Sequence, residues 1–252
     1  MRSILIGCDP EVFLKKGDEV VSAHGIIPGT KTAPYPVEYG AVQVDGLALE
    51  FNIDPVSTLN DFVNSNTRVM KTLQSMLPEG HDILIEPACN FEADYISTLP
   101  EESLELGCDE DYNAYTGNAN PPPNASSNMR TAAGHIHIGW LGHSEYTDPM
   151  SEEHYQTCRV VTKMLDYNLY RAYRTTFGLT KDEVKRQEMY GSVGTFRPKP
   201  YGVEYRVLSN SWLKDSERMA FVYNRVQETM RQIQRDYSGC DLSSYLTSPI
   251  SV

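Results

Sequence analysis

The sequence predicts an α+β protein in which a largely antiparallel sheet packs against helices. Three observations carry that prediction. Residues 1–55 alternate apolar and polar positions between turn signals, as short strands do. The stretches 58–77, 151–176 and 215–236 have helical periodicity. Strands and helices also follow one another without the regular βαβ alternation of a parallel sheet. With 252 residues the chain can bury a substantial core, and we read 1–252 as a single domain.

The elements follow in order. Turn signals at Lys16-Gly17-Asp18, Pro28-Gly29 and Asp45-Gly46 divide the first 55 residues into strands. Ser57 or Thr58 caps the first helix, Leu59, Phe62, Val63, Val69, Met70, Leu73 and Leu77 form its apolar face, and Pro78 follows its end. Residues 81–91 read as a strand. Residues 98–130, with prolines 121–123, read as irregular, and a stretch that long inside a domain is either disordered or functional. Tyr112 and Tyr115 favour an ordered loop over a site. A strand at 132–141 follows, then a helix at 151–176 with Ser151 as cap and Glu152/Glu153 in its positive first turn. A short helix near 180–188, a loop at 190–202, a strand at 203–209 and the last helix complete the chain.

Composition excludes several classes. There are 34 acidic and 22 basic residues, a net charge of −12, and no Lys/Arg block, so nucleic acid is not an expected partner. An anionic substrate has to arrive with metal ions that offset the carboxylates. No apolar run approaches the roughly 18 residues that span a bilayer, so no membrane partner is expected. The opening MRSILIGCDPEVF enters a strand-like run and then acidic residues, unlike a signal peptide. A cytoplasmic location is expected. The five cysteines (8, 89, 108, 158, 240) are scattered without CxxC spacing and read as free thiols.

Chemistry concentrates in four short stretches, each placing two polar groups two residues apart among apolar neighbours. They are Asp9/Glu11, Glu50/Asn52, His135/His137 and Glu204/Arg206. Side chains at i and i+2 of a strand share a face, so each pair faces one way while Val12, Leu49/Phe51, Ile136/Ile138 and Val203/Tyr205 face the other. A sheet surface lined by carboxylates, imidazoles and a guanidinium makes a poor core and a good metal–phosphate site.

Each pair also has a plain reading. Asp9/Glu11 can be solvated acids at a strand end, Asp45-Gly46 a hairpin turn, and Glu204/Arg206 an intrastrand ion pair. Glu50 is harder to dismiss, because a lone buried carboxylate is costly unless paired or metal-bound. The His-x-His pair fixes no metal, since zinc hydrolases use it too. His24, His81, His143 and His154 lack such context and read as ordinary. Arg197 and Lys199, in a Gly- and Pro-rich loop flanked by Tyr190-Gly191 and Tyr201-Gly202, join Arg206 to give three cations within ten residues, which suits a polyphosphate. Lys31 and Arg130 are two further basic positions of the same kind.

The order of these motifs, Asp-x-Glu, Glu-x-Asn, His-x-His and Glu-x-Arg, resembles that of the glutamine synthetase and glutamate–cysteine ligase superfamily. GCDPEVF, VDGLALEFN, AGHIHIGW and FRPKPYGVEYRVLSN look more closely like the phage COOH–NH₂ ligase, type 2 family. The resemblance spans residues 9 to 210. It implies a glutamine synthetase-like catalytic domain, with a curved, mostly antiparallel sheet packed with helices, and an ATP-dependent ligase that joins a small-molecule or peptide carboxylate to an amine through an acyl phosphate. It assigns Asp9, Glu11, Glu50, His135 and Glu204 to Mg²⁺ (or Mn²⁺) and His137 to phosphate, helped by Lys31, Arg130, Arg197, Lys199 and Arg206. Arg197 and Arg206 would act in catalysis, with Asp45 as either a metal ligand or the base that deprotonates the amine. For a phage protein the cytoplasm is that of the infected bacterium, and a homo-oligomer is compatible with the family. A metal-dependent hydrolase and a non-catalytic nucleotide-binding virion or regulatory protein are the rival readings.

Overall fold

The first two strands are almost one strand. In a computed structural model of the protein, which describes residues 4–104, 110–122, 128–140 and 148–236, β1 (Leu5–Cys8) and β2 (Glu11–Lys16) are separated only by Asp9-Pro10. Proline has no N–H to give a strand ladder, and here the chain passes from one sheet to another. On one side lie β3 (Glu19–Val21), β4 (Tyr35–Val37), β5 (Gly40–Asp45) and β6 (Ala48–Ile53), in the order β3-β2-β6-β5-β4, with β7 (His81–Leu84) also paired to β2. A small ribbon pairs β8 (Ala88–Asn90) with β10 (Met129–Thr131). On the other side, β9 (Tyr112–Asn113), β11 (Ile136–Gly139), β12 (Thr195–Lys199) and β13 (Gly202–Tyr205) join β1 in the order β1-β11-β13-β12-β9.

All these strand pairs are antiparallel. The single curved sheet expected from the sequence is therefore two sheets sewn together at Asp9-Pro10. Ile6 and Val56 exchange backbone hydrogen bonds, the Phe51 N–H donates to Pro10 O, and the Glu11 N–H donates to Ala133 O.

The helices cover the apolar side. α1 (Leu59–Met76) starts at Thr58, whose hydroxyl accepts from the Asp61 N–H. α2 (Ala93–Ile96) and α3 (Glu101–Leu104) are single turns. α4 (Glu152–Leu165) runs through a π-helical turn at Asp166–Tyr170 into α5 (Arg171–Phe177). α6 (Lys181–Met189) begins with a reciprocal capping box between Thr180 and Glu183, and α7 (Ser216–Asp236) follows a 3₁₀ turn at Asn210–Lys214. Val12, Leu49, Phe51, Ile136, Ile138, Val203 and Tyr205 are all buried against Phe62, Val69, Leu165 and Val226 from the helices. This is the apolar half of the predicted alternation. None of the described helices is long and apolar enough to cross a membrane.

Several boundaries differ from expectation for local reasons. The run 81–91 is two strands, broken before Pro87. Of the strand expected at 132–141, whose residue 141 lies outside the described residues, Ile136–Gly139 is regular, and Gly134 before it is pressed against Trp212 and Ser209. A Cβ on Gly134 would lie 2.3 Å from Trp212 Nε1, so this glycine serves packing. The strand expected at 203–209 is regular over Gly202–Tyr205. The loop 190–202 contains β12, in which Phe196 and Pro198 are buried while Arg197 and Lys199 are half-buried. Pro198 is tolerated because β9 pairs only with Thr195 and Phe196, leaving β12 an edge beyond them. The irregular stretch 98–130 holds α3, β9 and β10; its residues 105–109 and 123–127 lie outside the described residues. Ser151 occupies the cap position of α4 without a side-chain capping bond. Cys8, Cys89 and Cys158 are free thiols, as expected, while His143, Cys108 and Cys240 lie outside the described residues.

Candidate metal and phosphate site

Strand register sets one member of each sequence pair (Glu11, Glu50, His137 and Glu204) into two rows, while Asp9, His135 and Arg206 lie just beyond the strand ends. In the five-stranded sheet, Gly7, His137, Glu204 and Arg197 stand opposite one another across β1, β11, β13 and β12. In the six-stranded sheet, Glu11, Glu50 and Gln43 do so across β2, β6 and β5. Asp9 sits at the joint between the sheets. Its Oδ1 is 3.5 Å from His135 Nδ1 and 2.9 Å from His137 Nε2.

Glu204 is fully buried and enclosed by cations. Lys199 Nζ lies 2.9 Å from its carboxylate, Arg197 Nη1 lies 3.2 Å away, and Arg206 pairs with it directly. His135 Nδ1 is 3.5 Å from Glu204 Oε1. Arg206 Nε donates to Asp111 at 3.0 Å, and Arg197 Nε donates to Glu110 O at 3.2 Å. The ring of Tyr190 lies against the guanidiniums of Arg206 and Arg186, and its hydroxyl is 3.5 Å from His135 Nε2.

The carboxyls divide into two environments. Burial works against charge on Asp9, but the neighbouring His137 and His135 hold it well below the usual carboxylate range. Burial likewise opposes charge on His137, and the neighbouring Asp9 overrides it and raises the imidazole. Glu50 is pushed well upward by burial and by Asp9, Glu11 and Asp45, against the hydrogen bond that Gln43 Nε2 donates at 2.7 Å. Glu11 is raised to about 7, chiefly by burial and Asp45, despite the Ala133 N–H that donates to it. Burial, with Arg206, lowers His135 to about 4. Glu11 and Glu50 thus form a pair that a cation would relieve.

Two cavities meet here. One, of about 500 Å³, is lined by Gly7, Asp9, Glu50, Asn52, His137, Arg197, Lys199 and Tyr201, among others. The other, of about 130 Å³, is lined by Asp9, Glu11, Asp45, Glu50, Arg130, His135, Tyr190, Arg197 and Arg206 with apolar neighbours. Asp9, Lys31, Glu50 and Arg197 line both.

Every site residue singled out in the sequence lines at least one cavity or sits in this charge cluster. Asp45 shares a face with the Glu50 row, because β5 and β6 pair Gln43 with Glu50 and Asp45 with Ala48. Lys31 Nζ lies 3.8 Å from Asp45 Oδ2. Arg130 reaches the smaller cavity from β10. Asp111, Gln43, Tyr190 and Tyr201 are additions that sequence reasoning missed; only the two tyrosines had a signal, as neighbours of the glycines flanking the basic loop. His154, read as ordinary, lies under the β12–β13 turn, with Nε2 2.9 Å from Lys199 O.

The donor set fits a divalent cation. Asp9, His137 and Glu204 each offer a ligand atom, all within 4.8 Å of one another. Asp9 Oδ1 and His137 Nε2 are buried without a hydrogen-bond partner, being close but not aligned. Two carboxylates and an imidazole, with Glu11 and Glu50 beside them, suit Mg²⁺ or Mn²⁺.

No protein-family model matches the chain, and no curated protein matches it in sequence. Among solved structures it is similar to a bifunctional glutathione synthetase from Pasteurella multocida, with a TM-score of 0.43 and 16% identity. The match covers 91% of this chain and 39% of that one. At this distance the likeness carries no argument about fold family or activity.

Proposed function

We propose that the protein is an ATP-dependent carboxylate–amine ligase of glutamine synthetase-like architecture, related to the phage COOH–NH₂ ligases. The observation that supports this best is the meeting of two cavities at one charge cluster, with Asp9, Glu50, Lys31 and Arg197 common to both. A reaction that passes a phosphoryl group from one substrate to another needs two binding spaces with a shared, electrostatically organised boundary.

In this reading Asp9, Glu204 and His137, the last in place of the His135 that the resemblance assigns, would hold Mg²⁺ with Glu11 and Glu50 beside them. Bound there, the ion supplies neutralisation of phosphate charge. The chain's own residues do the rest. Arg197, Lys199 and Arg206 surround Glu204 and present donors to phosphate oxygens, holding a negatively charged chain in register. Arg206 is kept aimed by Asp111 and by the face of Tyr190. Asp45 lines the smaller cavity, apart from the cluster around Glu204, where it can take a proton from the incoming amine. The substrate carboxylate takes the γ-phosphoryl of ATP, the amine displaces phosphate, and an amide forms with release of ADP and phosphate.

A metal-dependent hydrolase would also use Asp9, His137 and Glu204, but it gives no role to the three cations around Glu204. The test is to incubate the protein with ATP, Mg²⁺ and pooled amino acids and polyamines, measuring ADP and phosphate beside Glu204→Gln. ADP formation that rises with the pool and disappears in the variant is the expected result. Failure to bind ATP by calorimetry in the presence of Mg²⁺ would sink the ligase reading.

A further inference from the structure

Taking Asp9, His137 and Glu204 as a divalent-cation site, as the proposed function does, we propose that Tyr201 is a positioning residue. Its hydroxyl holds His137 in the tautomer whose Nε2 lone pair faces Asp9 and Glu204.

Tyr201 stands in the turn between β12 and β13, and its hydroxyl is hydrogen-bonded to His137 Nδ1. The two rings lie 6.1 Å apart at 33°. A neutral imidazole carries one N–H, and the hydrogen bond at one nitrogen decides what the other can do. Were the N–H on Nε2, it would need an aligned acceptor. The nearest oxygen, Asp9 Oδ1, is 2.9 Å away but not aligned for a hydrogen bond. With the N–H on Nδ1, the Tyr201 oxygen accepts it. Nε2 is then left as a lone pair beside two carboxylates, which is what a metal ligand needs. A tyrosine hydroxyl is an O–H donor as well as an acceptor. Its own O–H remains free to donate into the larger cavity that Tyr201 lines.

Tyr201 is itself held from behind. His154, on α4, places Nε2 2.9 Å from Lys199 O and 3.1 Å from Gly202 O, the two ends of the turn. Carbonyls only accept, so His154 Nε2 carries its proton and clamps both. The turn is also pressed onto β11, since a Cβ on Gly202 would lie 2.0 Å from Ile138 O. The same turn carries Lys199, whose Nζ reaches Glu204. A helix-borne histidine thereby fixes a turn, and the turn fixes both the tautomer of His137 and the cation beside Glu204.

The experiment is ¹⁵N-edited NMR of the histidine side chains in the metal-free protein at alkaline pH, with His137→Asn used for assignment. Wild type is expected to carry the His137 proton on Nδ1, and Tyr201→Phe, which keeps the ring and removes the oxygen, to redistribute it. Mn²⁺ affinity, measured on the same proteins by electron paramagnetic resonance, is expected to fall about 10–100-fold in Tyr201→Phe. A wild-type His137 protonated on Nε2 overturns the proposal without any variant. An unchanged tautomer with unchanged Mn²⁺ affinity in Tyr201→Phe overturns it as well. Wild type that shows the Nδ1–H tautomer but binds no Mn²⁺ sinks the cation-site reading and leaves the Tyr201–His137 relationship standing.

Discussion

Glu11 and Glu50 face each other directly across β2 and β6, the first half-buried and the second buried. Repulsion from Glu11 is part of why Glu50 is raised, after burial and Asp9, and it is fully expressed only once both are ionised. Glu50→Gln removes one charge while keeping an oxygen for Gln43 to donate to. At mildly alkaline pH the metal-free variant is expected to be more stable than wild type by roughly 1–2 kcal/mol. Under the proposed function it also loses the stabilisation that Mg²⁺ and ATP confer. Urea unfolding with and without Mg²⁺–ATP checks both halves; a variant less stable than wild type without ligand would show that the carboxyls do not oppose each other.

Arg206 and Asp111 form a buried pair across 95 residues of sequence. Removing the arginine also strips a partner from Glu204, so Arg206→Ala is expected to cost about 3–5 kcal/mol. Asp111→Ala leaves Arg206 its contact with Glu204 and is expected to cost less. The double variant should cost less than the sum of the two, with a coupling of about 1–3 kcal/mol. Denaturant unfolding of all four proteins reads it, and strict additivity would mean that the 110–113 segment does not support the arginine.

Asp166, in the π-helical turn, is fully buried and accepts from the Tyr205 hydroxyl at 2.7 Å, one residue along from Glu204. Burial raises its carboxyl from 3.8 to about 7. The folded protein therefore binds more protons than the unfolded chain between those values. The contribution of Asp166 is present at acid pH and is lost as pH rises through that window. Asp166→Asn keeps an acceptor for Tyr205 and cannot ionise. Its stability relative to wild type is expected to increase from pH 4 to 7, by on the order of 2–4 kcal/mol. Thermal unfolding across that range decides it; parallel pH profiles for the two proteins would show that Asp166 is already ionised in the fold.

The four polar pairs were legible because i, i+2 alternation is a local property, and the buried partners Val12, Phe51, Ile138 and Val203 confirm its apolar half. The face of Asp45 was not, because hairpin register is not local. The pairing of Asp45 with Ala48 joins an odd position to an even one, so counting along the chain from Glu50 gives the wrong parity. β12 was hidden by Pro198 and the glycines around it, and it is a strand because its partner is β13, not because its own residues favour one. Asp111 had no signal at all: it lies in an aperiodic segment and gains meaning only when the fold brings it to Arg206. The separation into two sheets was equally silent, since the apolar alternation runs on through Asp9-Pro10 as if the strand did.

That joint makes occupancy a mechanical matter. The Glu204 row belongs to one plate and the Glu50 row to the other, and Asp9 stands on the seam. A ligand gripped by both rows acts as a rivet through the two plates, opposing any slip along the seam. The amide protons of Ile6 and Val56, which stitch it several residues from the charged groups, become a gauge of whether the rivet is in place.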